Sequence, residues 1–269
     1  MDNRPRIVGI VNVTEDSFSD GGRFLATDAA IAHARELASE GADFLEIGPA
    51  SSHPNAKHVS SQAQIDRLTP VVQALSTGRI PISIDSTDSE VLRFGLETGV
   101  AMLNDVRGFP DPRLYPQLAD SKASLVVVHS LLELERAARI DATPEQVLAS
   151  IIRFFETRLG ELVRAGISED RLILDPGMGF FLGNDPKASI LVLQRIPELK
   201  SRFGRPLFIS VSRKSFLREI TGRTIEKIGP ATLAAELHAA REGADFIRTH
   251  DVLSLRDALK VSRSLSSIA

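Results

Sequence analysis

The strongest constraint in the sequence is a rhythm. Short apolar runs rich in Val and Ile recur at residues 7–11, 44–47, 82–84, 101–103, 125–128, 172–174, 207–211 and 246–248, and a segment of helical period follows each. Parallel strands covered on both faces read as such continuous apolar runs, and their alternation with helices is the mark of repeated βα units. Eight units within 269 residues predict an α/β fold, the (β/α)8 TIM barrel, with a doubly wound open sheet as the alternative. No Pro/Gly/Ser-rich linker interrupts the pattern, so residues 1–269 are expected to form a single domain.

The ends of the helices are legible too. Thr143-Pro144 with Gln146 has the form of a capping box with proline at the first helical position, and Asp185-Pro186 repeats the device. Gly41, Gly99, Gly166 and Gly243 stand where a helix must stop before the next strand. The pentapeptide EGADF occurs at both 40–44 and 242–246, as suits two similar helix-to-strand joints. Between 144 and 165, Leu148, Ile151, Ile152, Phe155, Leu159 and Leu162 fall on one stripe, the face that packs on the sheet.

Composition excludes several functions. A formal net charge of −3 and a pI near 6.1 supply no basic field for nucleic acid. The absence of cysteine removes disulfides, thiolate metal sites and thiol nucleophiles, leaving a cytoplasmic location as the expectation. The apolar runs are too short to span a bilayer, so no membrane role is expected. Neither a phosphate-binding P-loop, an HExxH zinc motif nor a nucleophile elbow is present. The glycines of Gly177-Met-Gly-Phe-Phe-Leu-Gly183 miss the dinucleotide spacing by one place and carry a bulky insert.

In a TIM barrel the active face lies at the C-terminal ends of the strands. There this chain is conspicuously polar: Asn12, Ser51-Ser52-His53, Asp85, Asn104-Asp105, His129, Asp175, Ser212-Arg213-Lys214-Ser215, Arg248 and His250. Any one of these could cap a helix or close a turn. Asp85, however, is followed by Thr87 and Asp88, which are better placed to cap, and Asp175 ends an apolar strand just before Pro176 and needs a partner. Arg213, Lys214, Arg248 and His250 gather after strands seven and eight, a corner that frequently binds phosphate in this architecture. An anionic substrate group is expected there, with pairing to acids such as Glu219 and Asp251 as the alternative.

Taken together, the segments Gly9-Ile-Val-Asn12-Val-Thr-Glu-Asp-Ser-Phe-Ser-Asp-Gly-Gly22, Asp175-Pro-Gly177, Ser212-Arg-Lys-Ser215 and Arg248-Thr-His250 resemble dihydropteroate synthase, in order and over essentially the whole chain. The resemblance implies a barrel enzyme that joins 6-hydroxymethyl-7,8-dihydropterin pyrophosphate to para-aminobenzoate with release of pyrophosphate and help from Mg²⁺, working as a homodimer. It also implies site residues. Asp85, Asn104, Asp175 and Lys214 would hold the pterin, with Asp85, Asp175 and Lys214 catalytic. Asn12, Arg248 and His250 would meet the pyrophosphate, Asn12 also the metal. Ser52, Pro54, Phe180 and Ser215 would face the aminobenzoate. Little activation of the nucleophile is needed, because an arylamine is neutral at pH 7.

Two departures from the family pattern stand out. His53 replaces an arginine of the loop after strand two, and histidine is no equivalent of that fixed fork of donors. The stretch after Asp175 is two residues longer than usual, with the added bulk near 180–182. These features, with Asn104-Asp-Val-Arg-Gly-Phe-Pro110 and SVSRKSFLR at 210–218, resemble the sulfonamide-insensitive dihydropteroate synthases, and extra bulk beside the aminobenzoate slot is the expected cause. Other readings stay open: a folate-binding methyltransferase barrel, an aldolase with Lys214 as Schiff-base lysine, or a pterin-binding protein without turnover.

Overall fold

The computed structural model describes residues 4–13, 23–50, 58–131 and 142–266. The expected strands form: β1 Arg6–Asn12, β2 Phe44–Gly48, β3 Ile82–Asp85, β4 Met102–Asp105, β5 Ser124–Val128, β6 Leu172–Asp175, β7 Phe208–Ile209 and β8 Phe246–Thr249. All pair in parallel, in the order β6-β5-β4-β3-β2-β1-β8-β7. The ring closes through a parallel bridge between Leu174 and Leu207 and the Leu174 N–H bond to the Pro206 carbonyl at 2.9 Å. The fold is a (β/α)8 barrel, not an open sheet.

The connecting helices are α1 Arg23–Glu40, α2 Ser61–Ser76, α3 Ser89–Glu97, α4 Tyr115–Asp120, α5 Pro144–Arg164, α6 Pro186–Gln194, α7 Ile196–Phe203, α8 Ser215–Thr221, α9 Gly229–Arg241 and α10 Val252–Ser266. Their caps follow local chemistry. Thr143 accepts from Gln146 N while the Gln146 side chain accepts from Thr143 N, which completes the capping box of α5. Asp88 caps α3 through Glu90 N and Val91 N, which frees Asp85 from that task. Asp185 caps α6 through Lys187 N. The expected stripe of α5 buries Ile151, Phe155 and Leu162, joined by Val147, while Leu148, Ile152 and Leu159 pack part-buried on the same core.

Most strands end within one residue of the predicted runs, and two, β4 and β7, end two residues away. β4 runs on to Asp105 because Asp85↔Asn104 and Asp105↔Val127 continue its ladders on both sides. β7 stops at Ile209, because the chain turns at 211–214, where Lys214 N bonds Val211 O and Arg213 adopts a φ of +59°.

Inside the barrel, side chains repeat every second residue along each strand. The lower layers are apolar: Val8, Phe44, Met102, Val126, Ile173, Phe208 and Phe246 cluster there, with the Phe246 ring 5.9 Å from Phe44 and 6.0 Å from Phe208. Two residues further along the same strands come Glu46, Asn104, Asp175, Ser210 and Arg248. The period that plugs the bottom of the barrel with apolar groups therefore delivers polar ones to the top. Among the described residues no helix is long and apolar enough to cross a membrane.

Candidate active site

Asp85, Asn104, Asp175 and Lys214 line one cavity at the C-terminal mouth, together with Val106, Val128, Met178, Phe181, Ser210 and Arg248. The acids are placed by short local bonds. Asp175 Oδ1 accepts the Gly177 N–H at 2.7 Å. A side chain at 177 would put its Cβ 2.4 Å from the His129 carbonyl oxygen, and φ there is +76°, so only glycine fits this turn.

His129 supports the same turn from behind. Its Nδ1 donates to the Pro176 carbonyl at 3.3 Å and its Nε2 accepts from Ser150 Oγ at 3.2 Å. Burial pushes its pKa down to about 4, so it is neutral.

Sequence reasoning missed Glu46. It sits mid-strand in Phe44-Leu-Glu-Ile-Gly48 and is fully buried. Its Oε2 accepts from Asn104 Nδ2 at 3.0 Å and from Ser83 Oγ at 3.3 Å, while Oε1 takes Arg248 Nε. The other arm of the Arg248 guanidinium reaches Asp85 Oδ2 at 3.0 Å. Arg248 thus sits among the carboxylates on the cavity floor, bridging β2 and β3. The available signal was the period of two, which puts Glu46 on the interior face with Phe44.

The electrostatics follow from this crowding. Burial, with Glu46 adding to it, pushes Asp85 up to about 7. Burial likewise raises Asp175 to about 6. Lys214 falls to about 8, through burial first and the Arg248 charge second. Its ammonium lies 4.4 Å from the centre of the Phe181 ring, a cation–π contact. Asn104 Oδ1 is buried without a hydrogen-bond partner among the described residues. Buried polar atoms are rarely left so, and this one opens on a cavity lined by acceptors and cations.

Four more of the predicted residues, Ser212, Arg213, His250 and Asn12, follow or end β7, β8 and β1. Ser212 Oγ accepts the His250 backbone N–H at 3.2 Å and stands 2.9 Å from His250 Nδ1. With the Ser212 proton given to Nδ1, the matching tautomer keeps Nε2–H as the free donor of the ring. Burial, then the charges of Arg213, Arg248 and Lys214, hold His250 neutral at about 3. Arg213 is exposed beside it. Asn12 is exposed at the end of β1, its Oδ1 close to Gly48.

Ser215 begins α8, with Gly179 against its hydroxyl. The segment Gly179–Leu182 is a 3-10 turn, which presents Phe181 to the cavity and leaves Phe180 36% exposed at the rim. Asp105 has a local task, accepting Arg107 N and Phe109 N at 2.8 and 3.0 Å. Ser52, His53 and Pro54 lie outside the described residues, as does the sequence from 14 to 22.

A barrel whose mouth gathers buried carboxylates, an amide and two cations defines a class. The model of the pterin binding enzyme family matches residues 8–250, and the chain belongs to that family. Within it the likeness is to dihydropteroate synthases. The type-2 dihydropteroate synthase of Escherichia coli is 54% identical over 263 residues, 98% of this chain and 97% of that protein. The Xanthomonas albilineans dihydropteroate synthase solved with 4-aminobenzoic acid has a TM-score of 0.89 at 36% identity, covering 99% of this chain and 95% of that one. Its complex with 7,8-dihydropteroate gives 0.85 at 34% identity and the same coverage.

Proposed function

We infer that this chain is a dihydropteroate synthase, condensing 6-hydroxymethyl-7,8-dihydropterin pyrophosphate with para-aminobenzoate to give 7,8-dihydropteroate and pyrophosphate. One observation carries the reading: the buried, unpartnered Asn104 Oδ1 beside Asp85 and Asp175, a row of acceptors that matches the ring N–H and amino donors of a pterin. Lys214 complements them as donor toward ring nitrogen or oxygen, and Arg248 fixes Asp85 and Glu46 in place. A folate-binding methyltransferase would share the acceptors but has no use for the Arg213 and His250 corner.

Catalysis then follows from charge placement. The C–O bond to pyrophosphate breaks, positive charge develops on the pterin methylene, the aminobenzoate nitrogen forms the new C–N bond, and its proton leaves to solvent. Asp85 and Asp175, poised near neutrality, stabilise the cationic pterin from a water-poor floor. His250 Nε2–H and Arg213 receive the developing negative charge on the leaving group.

Among the described residues, one mode of Mg²⁺ binding fits this mouth. Among the described residues no cluster of three His, Cys, Asp or Glu could cage a metal. A single exposed amide oxygen, Asn12 Oδ1, suits an ion held mainly by substrate phosphates and water. Bound so, it supplies neutralisation of the leaving pyrophosphate.

Phe180 and Ser215 flank the path to the aminobenzoate position. The bulk at 180–182 stands beside that path, where it would clash with the ring that a sulfonamide carries beyond its aminobenzoate-like part, so the enzyme is expected to be insensitive to such drugs. We further propose a homodimer in the cytoplasm. The experiment is a mass-spectrometric assay for dihydropteroate with both substrates and Mg²⁺, with and without excess sulfamethoxazole, on the wild type and on a variant lacking Phe181-Leu182. Product from the wild type in both tubes, and drug inhibition of the shortened enzyme, is expected. No product from folded protein overturns the synthase reading, and unchanged insensitivity of an active shortened variant overturns the role of the insert.

A further inference from the structure

Helix α9 buries two polar side chains that the chemistry above does not use. Thr232 and Glu236 are four residues apart and so share a face, and they are only 5% and 1% exposed. Thr232 Oγ1 accepts the backbone N–H of Arg213 at 3.3 Å. Arg213 is the residue whose left-handed φ of +59°, a conformation unfavourable for any side chain with a Cβ, shapes the loop after β7. Glu236 lies within reach of the hydroxyl of Thr249, the last residue of β8, which acts on its carboxyl. Thr249 Oγ1 in turn accepts the backbone N–H of Asp251 at 3.1 Å. His250 is the residue between them.

One helix face therefore grips the roots of both loops, and Ser212 with His250 stitches the loops together above it. The arrangement carries a cost. Glu236 Oε1 has no hydrogen-bond partner among the described residues, and an aliphatic side chain would fill the same space without burying a polar atom. Burial pushes the Glu236 carboxyl up to about 8, so at neutral pH it is protonated and adds no charge beneath the anion corner.

We propose that Thr232 and Glu236 are positioning residues, which hold the loops after β7 and β8 in the single arrangement that lets Arg213 and His250 meet the substrate's pyrophosphate together. Neither touches substrate. The proposal rests on the reading of that corner as the pyrophosphate subsite.

The test measures KM for dihydropterin pyrophosphate, KM for para-aminobenzoate and inhibition by inorganic pyrophosphate in Glu236→Met, Glu236→Gln and His250→Ala. Loss of one positioning bond predicts that Glu236→Met raises the first KM and the pyrophosphate inhibition constant about tenfold, with the aminobenzoate KM moving less than about twofold. Glu236→Gln keeps an acceptor for Thr249 at the same size, and recovers to within about threefold of wild type. Wild-type pyrophosphate inhibition in a folded Glu236→Met, or equal losses in the Gln and Met variants, overturns the proposal. Should Glu236→Met fail to fold, Thr232→Val reads the same constants through the other loop: an increase supports the proposal and no change overturns it. If His250→Ala leaves pyrophosphate inhibition untouched, the subsite reading itself has failed, and the positioning role falls with it.

Discussion

The acid-lined side of the mouth and its cationic side differ in depth and in what holds them. Glu46, Asp85, Asn104 and Asp175 stand on strands of the barrel, and each is fixed by the register of a parallel ladder. Arg213 and His250 stand on loops after β7 and β8, fixed by side chains of the neighbouring helix and by each other's partners. The first side is buried and recognises by hydrogen-bond pattern, where a missing partner is costly. The second is nearer water and recognises by charge, which solvent and salt weaken. On the proposed function, specificity for the ring and attraction for the leaving group would be separable properties of one pocket.

The sharpest way to break that separation is at Asp85. Asp85→Asn leaves Arg248 short of one partner and removes an acceptor for the pterin, and the expected loss in kcat/KM is about a thousandfold, as for other buried charge pairs that lose one member. Steady-state kinetics check it, and a variant within tenfold of wild type would show that the acid floor is dispensable. His250→Ala should cost less, about tenfold in KM for the pyrophosphate substrate, because it removes a single neutral donor near the rim. Competition assays with inorganic pyrophosphate at low and high salt sharpen the contrast, since pyrophosphate binding should weaken with salt while binding of the free pterin does not.

A smaller effect is expected from pH. Asp175 and Asp85 ionise at about 6 and about 7, and only the ionised forms accept two pterin donors. Affinity for 6-hydroxymethylpterin should rise as pH climbs through that window. Without ligand the sign is reversed, since a carboxylate whose folded pKa is raised keeps its proton in the native state longer than in the unfolded one. Its contribution to stability is complete below its ordinary value near 4 and is lost as pH rises through the folded value. In Asp175→Asn the rise in pterin affinity should flatten, and calorimetric titration at several pH values measures it.

How much of this was legible in the residue order divides along the same line. The eight apolar runs predicted the barrel ahead of an open sheet, polar residues just past them put Asp85, Asn104, Asp175 and Lys214 on its active face, and the family resemblance grouped those four around one ligand. Capping signals at Thr143, Asp88 and Asp185 reappear as hydrogen bonds, because they depend on a few adjacent residues. Glu46 escaped because a carboxylate inside an apolar run shows its role only when the interior face is counted residue by residue.

The engagement of Arg248 with Glu46 spans 202 positions, and no local pattern carries such a contact. Phe181, rather than Phe180, faces the cavity because a 3-10 turn spans Gly179–Leu182.

The proposed function places two independent subsites in one mouth, a buried one for the pterin ring and a shallow one for pyrophosphate. The most direct measurement is isothermal titration of the wild type, Asp85→Asn and His250→Ala with 6-hydroxymethylpterin and, separately, with inorganic pyrophosphate and Mg²⁺. The account predicts a crossed result: Asp85→Asn loses the pterin and keeps pyrophosphate, and His250→Ala does the reverse. Parallel losses of both ligands in either variant would contradict it.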